Sequence, residues 1–186
     1  FIRFGATDTH QIGEALLRAH AAGRIRATIG RGSDFFGPHA HLSTVGDRVF
    51  GTTTGLPSGS YAEYICVPAD GMLASLPPHV SFEEAAPVPI GATTALQFLR
   101  RGEVAAGKRV LVIGASGSVG SYGVQLAAHF GAHVTGVSSG RNADLVKSLG
   151  AAAVIDYTET DVTKGEARYD LVFDAVGAGS PGSFKR

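Results

Sequence analysis

Arg109-Val110-Leu111-Val112-Ile113-Gly114-Ala115-Ser116-Gly117-Ser118-Val119-Gly120 is the stretch that decides the fold. Its first half is an aliphatic run of strand length, and the residues from Val119 to Phe130 read as a helix. Across the junction stand three glycines, each with a mechanical task at a strand-to-helix turn. Gly114 lets the chain turn tightly, Gly117 lets backbone approach a pyrophosphate, and Gly120 lets helix and strand pack closely. The amides that open the helix then face the phosphates, aided by the positive end of the helix dipole. The spacing is GxxGxxG, a departure from the GxGxxG fingerprint. A tight turn without a ligand would use the same residues, so the weight rests on the surrounding order.

That order supports the phosphate reading. Strands are expected at Arg109–Ile113, His133–Val137, Ala153–Tyr157 and Tyr169–Asp174, with helices at Val119–Phe130 and Arg141–Leu149. Apolar strands alternating with short helices predict an α/β unit, a parallel sheet with helices on its faces. Upstream, Ser81-Phe82-Glu83-Glu84 is a capping-box pattern, and Pro87 and Pro89 should stop that helix early. Ala92–Arg101 reads as a second helix closed by Gly102 as its C-terminal glycine. Val45–Phe50 is a turn entering a strand, Ser60–Val67 alternates as strands do, and Met72–Leu76 is a further short strand candidate. This segment reads as antiparallel β structure. Before it, Gly13–Ala22 fits a helix and Glu14–His20 a strand equally well, while Thr28–Thr44 reads as loop.

The end of the second strand bears on which dinucleotide is held. An acidic residue there would hold the ribose hydroxyls of NAD. The chain instead reads Val137-Ser138-Ser139-Gly140-Arg141-Asn142, with no acid until Asp144. A carboxylate would repel a 2′-phosphate, whereas serine hydroxyls and a guanidinium would bind it. The expected cofactor is NADPH. The alternative is that Arg141 is an ordinary cation at a helix start and the pocket is indifferent.

Composition narrows the function classes. Sixteen basic residues balance sixteen acidic ones, so no net field draws the chain to nucleic acid or an anionic membrane. No apolar run approaches bilayer length, and Phe1-Ile2-Arg3-Phe4-Gly5 lacks the apolar core of a signal peptide, so a cytoplasmic protein is the default expectation. The only cysteine, Cys66, cannot form an intrachain disulfide or a multi-cysteine zinc site. His39 and His41 with Asp34 could be imagined as ligands, but His-x-His alone sets no tetrahedral geometry, and no metal is expected. Tyr61 and Tyr64 are candidate proton donors, yet alternating aromatics in a half-buried strand normally pack. No catalytic side chain is assigned from the sequence.

Taken together, these segments resemble the quinone-oxidoreductase branch of the medium-chain dehydrogenase/reductases, from about Val45 to Gly177. The matching stretches include Val45-Gly-Asp-Arg-Val-Phe-Gly, Gly59-Ser-Tyr-Ala-Glu-Tyr, Ser81-Phe-Glu-Glu-Ala-Ala, Thr94-Ala-Leu-Gln, the glycine-rich turn, Gly150-Ala-Ala-Ala-Val-Ile-Asp-Tyr and Asp170-Leu-Val-Phe-Asp-Ala-Val-Gly. The resemblance implies a GroES-like β domain, atypical and incomplete, over residues 1–90, and a truncated Rossmann-type NADP-binding domain over residues 91–186. It implies metal-free hydride transfer from NADPH to a small-molecule quinone or an activated carbon–carbon double bond, as in an enone. By the family pattern Thr94 would touch the nicotinamide side of the cofactor. Gly114, Gly117, Ser118, Val119 and Gly120 would lie against the pyrophosphate. Ser138, Ser139, Arg141 and Tyr157 would surround the 2′-phosphate, and Val176 and Gly177 would border the cofactor.

Two departures accompany the resemblance. Four sheet strands are expected where the full fold has six, and residues before Val45 match poorly, which weakens the substrate wall more than the cofactor site. An unfinished sheet leaves an edge that favours association, for example as a homodimer. The readings are therefore a reductase or a fragment of one, a non-catalytic NADP-binding remnant, and an interaction module that binds no nucleotide.

Overall fold

The computed structural model describes residues 48–52 and 73–177. The strand expected at Ser60–Val67, the segment 13–22, and Asp34, His39, His41, Tyr61, Tyr64 and Cys66 lie outside the described residues. The chain divides into two compact units, Phe1–Thr93 and Thr94–Arg186.

In the first unit, β1 (Val49–Gly51) pairs antiparallel with β2 (Leu73–Ser75), with Phe50 opposite Ala74. Arg48 ties the following loop down. Its guanidinium donates to the carbonyls of Pro77, Pro78 and Val80 at 3.3, 3.1 and 2.8 Å and lies 4.7 Å from the Phe82 ring centroid. Helix α1 (Phe82–Ala85) opens with the expected capping box. The Glu84 amide donates to Ser81 Oγ at 3.1 Å and the Ser81 amide to Glu84 Oε2 at 2.8 Å, a device worth about 1 kcal/mol. Pro87 and Pro89 lack amide protons, and the chain passes through a single π turn at Val88–Ala92.

Helix α2 (Thr93–Arg101) buries Ala95, Leu96 and Leu99. Its end corrects the expected glycine cap. The Glu103 amide donates to Arg100 O and the Val104 amide to Leu99 O, the paired bonds of a Schellman motif. The residue with positive φ is Glu103 (51°), one position beyond Gly102. Gly102 is small for a different reason: a Cβ there would stand 2.5 Å from Leu171 Cδ1.

The second unit holds a four-stranded parallel sheet in the order β5-β4-β3-β6. The strands are β3 (Arg109–Ile113), β4 (His133–Ser138), β5 (Ala153–Asp156) and β6 (Leu171–Asp174). Registers run Leu111 beside Thr135, Val137 beside Ile155 and Val112 beside Phe173. Helix α3 (Ser118–His129) links β3 to β4, and a 3₁₀ turn at Gly140–Asn142 leads into helix α4 (Ala143–Ser148) before β5. The α/β class and element order match the sequence expectation. The differences are local: Arg141 sits in the 3₁₀ turn ahead of the helix, and β6 begins at Leu171, preceded by Asp170, whose amide donates to Arg109 O at 2.8 Å while its carboxylate accepts the Arg109 amide at 2.7 Å.

Side-chain alternation splits the core into two faces. On one face α3 closes on the sheet so tightly that a Cβ at Gly123 would meet Phe173 Cε1 at 2.5 Å. The Phe98 ring of α2 lies 6.2 Å from that of Phe173. On the other face Leu111, Ile113 and Val137 pack under Ile155, Val162, Tyr169 and Val172. Three of those covering residues belong to β5 and the connection that follows it, so that crossover shields the second face.

Candidate functional site

A parallel sheet in this order reverses direction between β3 and β6, and ligands of such sheets lie beyond the carboxyl ends of the strands at that point. The glycine-rich turn stands there. The Gly114 and Ala115 amides both donate to the Val137 carbonyl at 3.1 and 2.9 Å, pinning the turn to β4. The Gly117 amide donates to Gly114 O at 2.9 Å and closes it.

The three glycines differ in what forbids a side chain. Gly114 has φ +75° and lies against Val176, whose Cγ1 would be 2.5 Å from a Cβ. Gly120 faces backbone, with Gly114 O 2.0 Å from the Cβ position. Gly117 is more open, its nearest neighbour Gly114 O at 3.3 Å. Gly117 is also the N-cap of α3 and supplies no side-chain cap. The first amides of a helix lack intrahelical acceptors, so the Ser118, Val119 and Gly120 N–H groups form an uncapped positive end beside an exposed Ser118. After β6, Asp174 Oδ1 accepts the Val176 and Gly177 amides at 3.0 and 2.9 Å and shapes the loop that lays Val176 over Gly114.

A second group gathers at the ends of β4 and β5. Ser138 is buried, and its hydroxyl donates to the Ser139 carbonyl at 3.2 Å. Ser139 is half-buried, while Arg141 and Tyr157 are exposed. The Tyr157 amide donates to Ser138 O at 3.2 Å, which holds the two strand ends together. Thr94, half-buried near the start of α2, has no described contact with either group.

Two residues here were not singled out from the sequence. Asn142 donates through Nδ2 to Ser116 Oγ at 3.0 Å and to Ser139 Oγ at 3.4 Å, joining the glycine-rich turn to the turn after β4. Asp156 brings a carboxylate beside Gly140, where a Cβ would meet Oδ2 at 2.3 Å. Its Oδ1 accepts the Thr158 hydroxyl and amide at 2.7 and 2.9 Å. These donors, with the Gly140 amide, hold the Asp156 carboxyl below its ordinary range. The motif Asp156-Tyr-Thr158 carries the local part of this signal, an Asx turn; the approach to Gly140 comes only from strand pairing. Among the described residues no group of three His, Cys, Asp or Glu side chains gathers as a metal site, and no helix is long and apolar enough to cross a membrane.

Residues 118–183 match the family profile described as zinc-binding dehydrogenase. The chain is 43% identical over 121 residues to a chloroplastic NADPH-dependent alkenal/one oxidoreductase of Arabidopsis thaliana, covering 64% of this chain and 31% of that protein. The structure of the quinone oxidoreductase from Coxiella burnetii superposes with a TM-score of 0.69 at 33% identity, over 89% of this chain and 54% of that one. The quinone oxidoreductase from Thermus thermophilus, solved also in complex with NADPH, gives a TM-score of 0.56 at 36% identity over 62% of this chain and 40% of that one. The chain thus spans about half or less of the length of these relatives. Residues 118–183 thus match a zinc-binding dehydrogenase domain in sequence, and the four-stranded parallel sheet with its flanking helices is similar in fold to the Rossmann-type sheet of quinone oxidoreductases.

Proposed function

We propose that the chain binds NADPH beyond the carboxyl ends of β3, β4 and β6 and is the nucleotide-binding part of an oxidoreductase that passes hydride to a quinone or an enone. The observation that carries this reading is the uncapped first turn of α3, set on a backbone turn that a Cβ at Gly114 or Gly120 would obstruct. Such a cradle fits a pyrophosphate, which needs donors and close backbone approach.

On this reading the Ser118, Val119 and Gly120 amides bind the pyrophosphate, and Val176 and Gly177 border the dinucleotide. Ser139, Arg141 and Tyr157 surround the 2′-phosphate, with Ser138 supporting Ser139 from beneath. Thr94 stands on the nicotinamide side. Asp156 does not convert the pocket to NAD, because Oδ1 is taken by Thr158 and Oδ2 abuts Gly140. Bound NADPH supplies the hydride; the protein's part is to orient it and keep water away. The relatives support this cofactor and acceptor class, since one is named for NADPH and alkenals or enones and another was solved with NADPH.

The family's name raises zinc. One cysteine in 186 residues offers a single thiolate, too few for the cysteine-rich sets that hold structural zinc, and no step is assigned to a metal.

Titration of the full chain with NADPH and NADH, followed by calorimetry and melting temperature, tests the reading. NADPH at a hundred times its Kd should stabilise the chain by about 2.7 kcal/mol. Arg141→Asp should weaken NADPH roughly 10- to 100-fold and shift preference toward NADH. An unchanged preference removes Arg141 from the site, and saturable binding of neither coenzyme refutes the proposal.

A further inference from the structure

We infer that Asn142 is a positioning residue for coenzyme selectivity: by donating to Ser116 Oγ and Ser139 Oγ it leaves both hydroxyls as proton donors for the 2′-phosphate. The inference rests on the NADPH reading above and goes beyond it by naming what sets the hydroxyls.

Asn142 is the N-cap of α4, a position where asparagine normally accepts a helix amide, yet it makes no side-chain cap. Its amide nitrogen is turned to two serines instead, Ser116 at 3.0 Å and Ser139 at 3.4 Å. Ser116 lies 26 residues away, on the glycine-rich turn.

The consequence follows from hydrogen-bond inventory. A serine hydroxyl has one proton and two lone pairs, and an amide NH₂ only donates. When Nδ2 occupies a lone pair on each oxygen, neither serine gives its proton to that nitrogen. Both protons are left for an acceptor, and a phosphate is acceptor-rich while a ribose 2′-hydroxyl is not. Ser138 cannot take this part, because its proton goes to the Ser139 carbonyl. Selectivity for the extra phosphate is then held by the Ser139–Asn142–Ser116 set together with Arg141.

The test is a double-mutant cycle on the full chain, with Kd for NADPH and NADH measured by calorimetry. Asn142→Leu loses no cap, because none is made there, and it adds no charge. It should weaken NADPH about tenfold, the scale of one hydrogen bond to a charged group, while NADH changes little. In a Ser139→Ala background the same substitution should have a much smaller effect on NADPH, since the hydroxyl it orients is gone. Asn142→Asp, an acceptor that would draw the hydroxyl protons toward itself, should cost more than leucine, and aspartate is a sound N-cap so the variant folds. Equal weakening of both coenzymes, or full additivity in the cycle, overturns the role of Asn142 while leaving the NADPH reading intact. A wild-type chain with no preference for NADPH overturns both.

Discussion

Replacing Gly120 by alanine separates a turn that merely looks like a phosphate loop from one whose geometry is fixed by backbone contact. The new Cβ would lie 2.0 Å from Gly114 O, 2.7 Å from Gly114 C and 3.1 Å from Ala115 Cα. Relief therefore requires movement of more than about 1 Å to reach ordinary carbon–oxygen contact. All three neighbours are main chain, and the Gly114 and Ala115 amides are tied to Val137 O, so the turn cannot swing aside. The helix must move instead, and residues 120–127 of α3 are all buried. Overpacking against side chains costs about 1–3 kcal/mol; here about 3 kcal/mol or more is expected. For a unit of this size that lowers the melting temperature by roughly 10–20 °C.

Calorimetric melting gives the stability, and NADPH titration below the melting range gives the affinity, which should fall at least about tenfold as the first amides of α3 shift. Gly117→Ala is the control. Its φ of −80° suits alanine and its closest contact is 3.3 Å, so stability should change by under about 1 kcal/mol. Should Gly120→Ala melt within about 2 °C of the parent and bind NADPH unchanged, the close approach of α3 to the turn is not what shapes the site.

Two further substitutions probe the core. Tyr122 is 1% exposed, its hydroxyl has no hydrogen-bond partner among the described residues, and burial pushes the phenol above its usual range. Tyr122→Phe should therefore stabilise the chain by about 1 kcal/mol, because an unpaired buried donor costs about that much or more; a clear loss of stability in denaturant unfolding would mean the hydroxyl is satisfied. Glu103 holds a positive φ at the end of α2, so Glu103→Gly should gain about 0.5–1 kcal/mol, and a loss on melting would show that its side chain contributes more than its backbone strain removes.

The sequence by itself determined the elements and the turn. Aliphatic runs of strand length, the Ser81–Glu84 box and three glycines after Ile113 act within a few residues of one another, and such short-range preferences survive without tertiary context. They were enough to specify a parallel α/β unit and to locate its glycine-rich turn. Only the tertiary structure decided which distant residues meet. Pairing β6 with β3 put Leu171 beside Gly102, while the residue with positive φ that ends the helix is Glu103. Pairing β5 with β4 carried Asp156 to Gly140, and the close seating of two turns brought Asn142 to Ser116 across 26 residues. Register and face are set by burial summed over a whole sheet, and no local spacing encodes that sum.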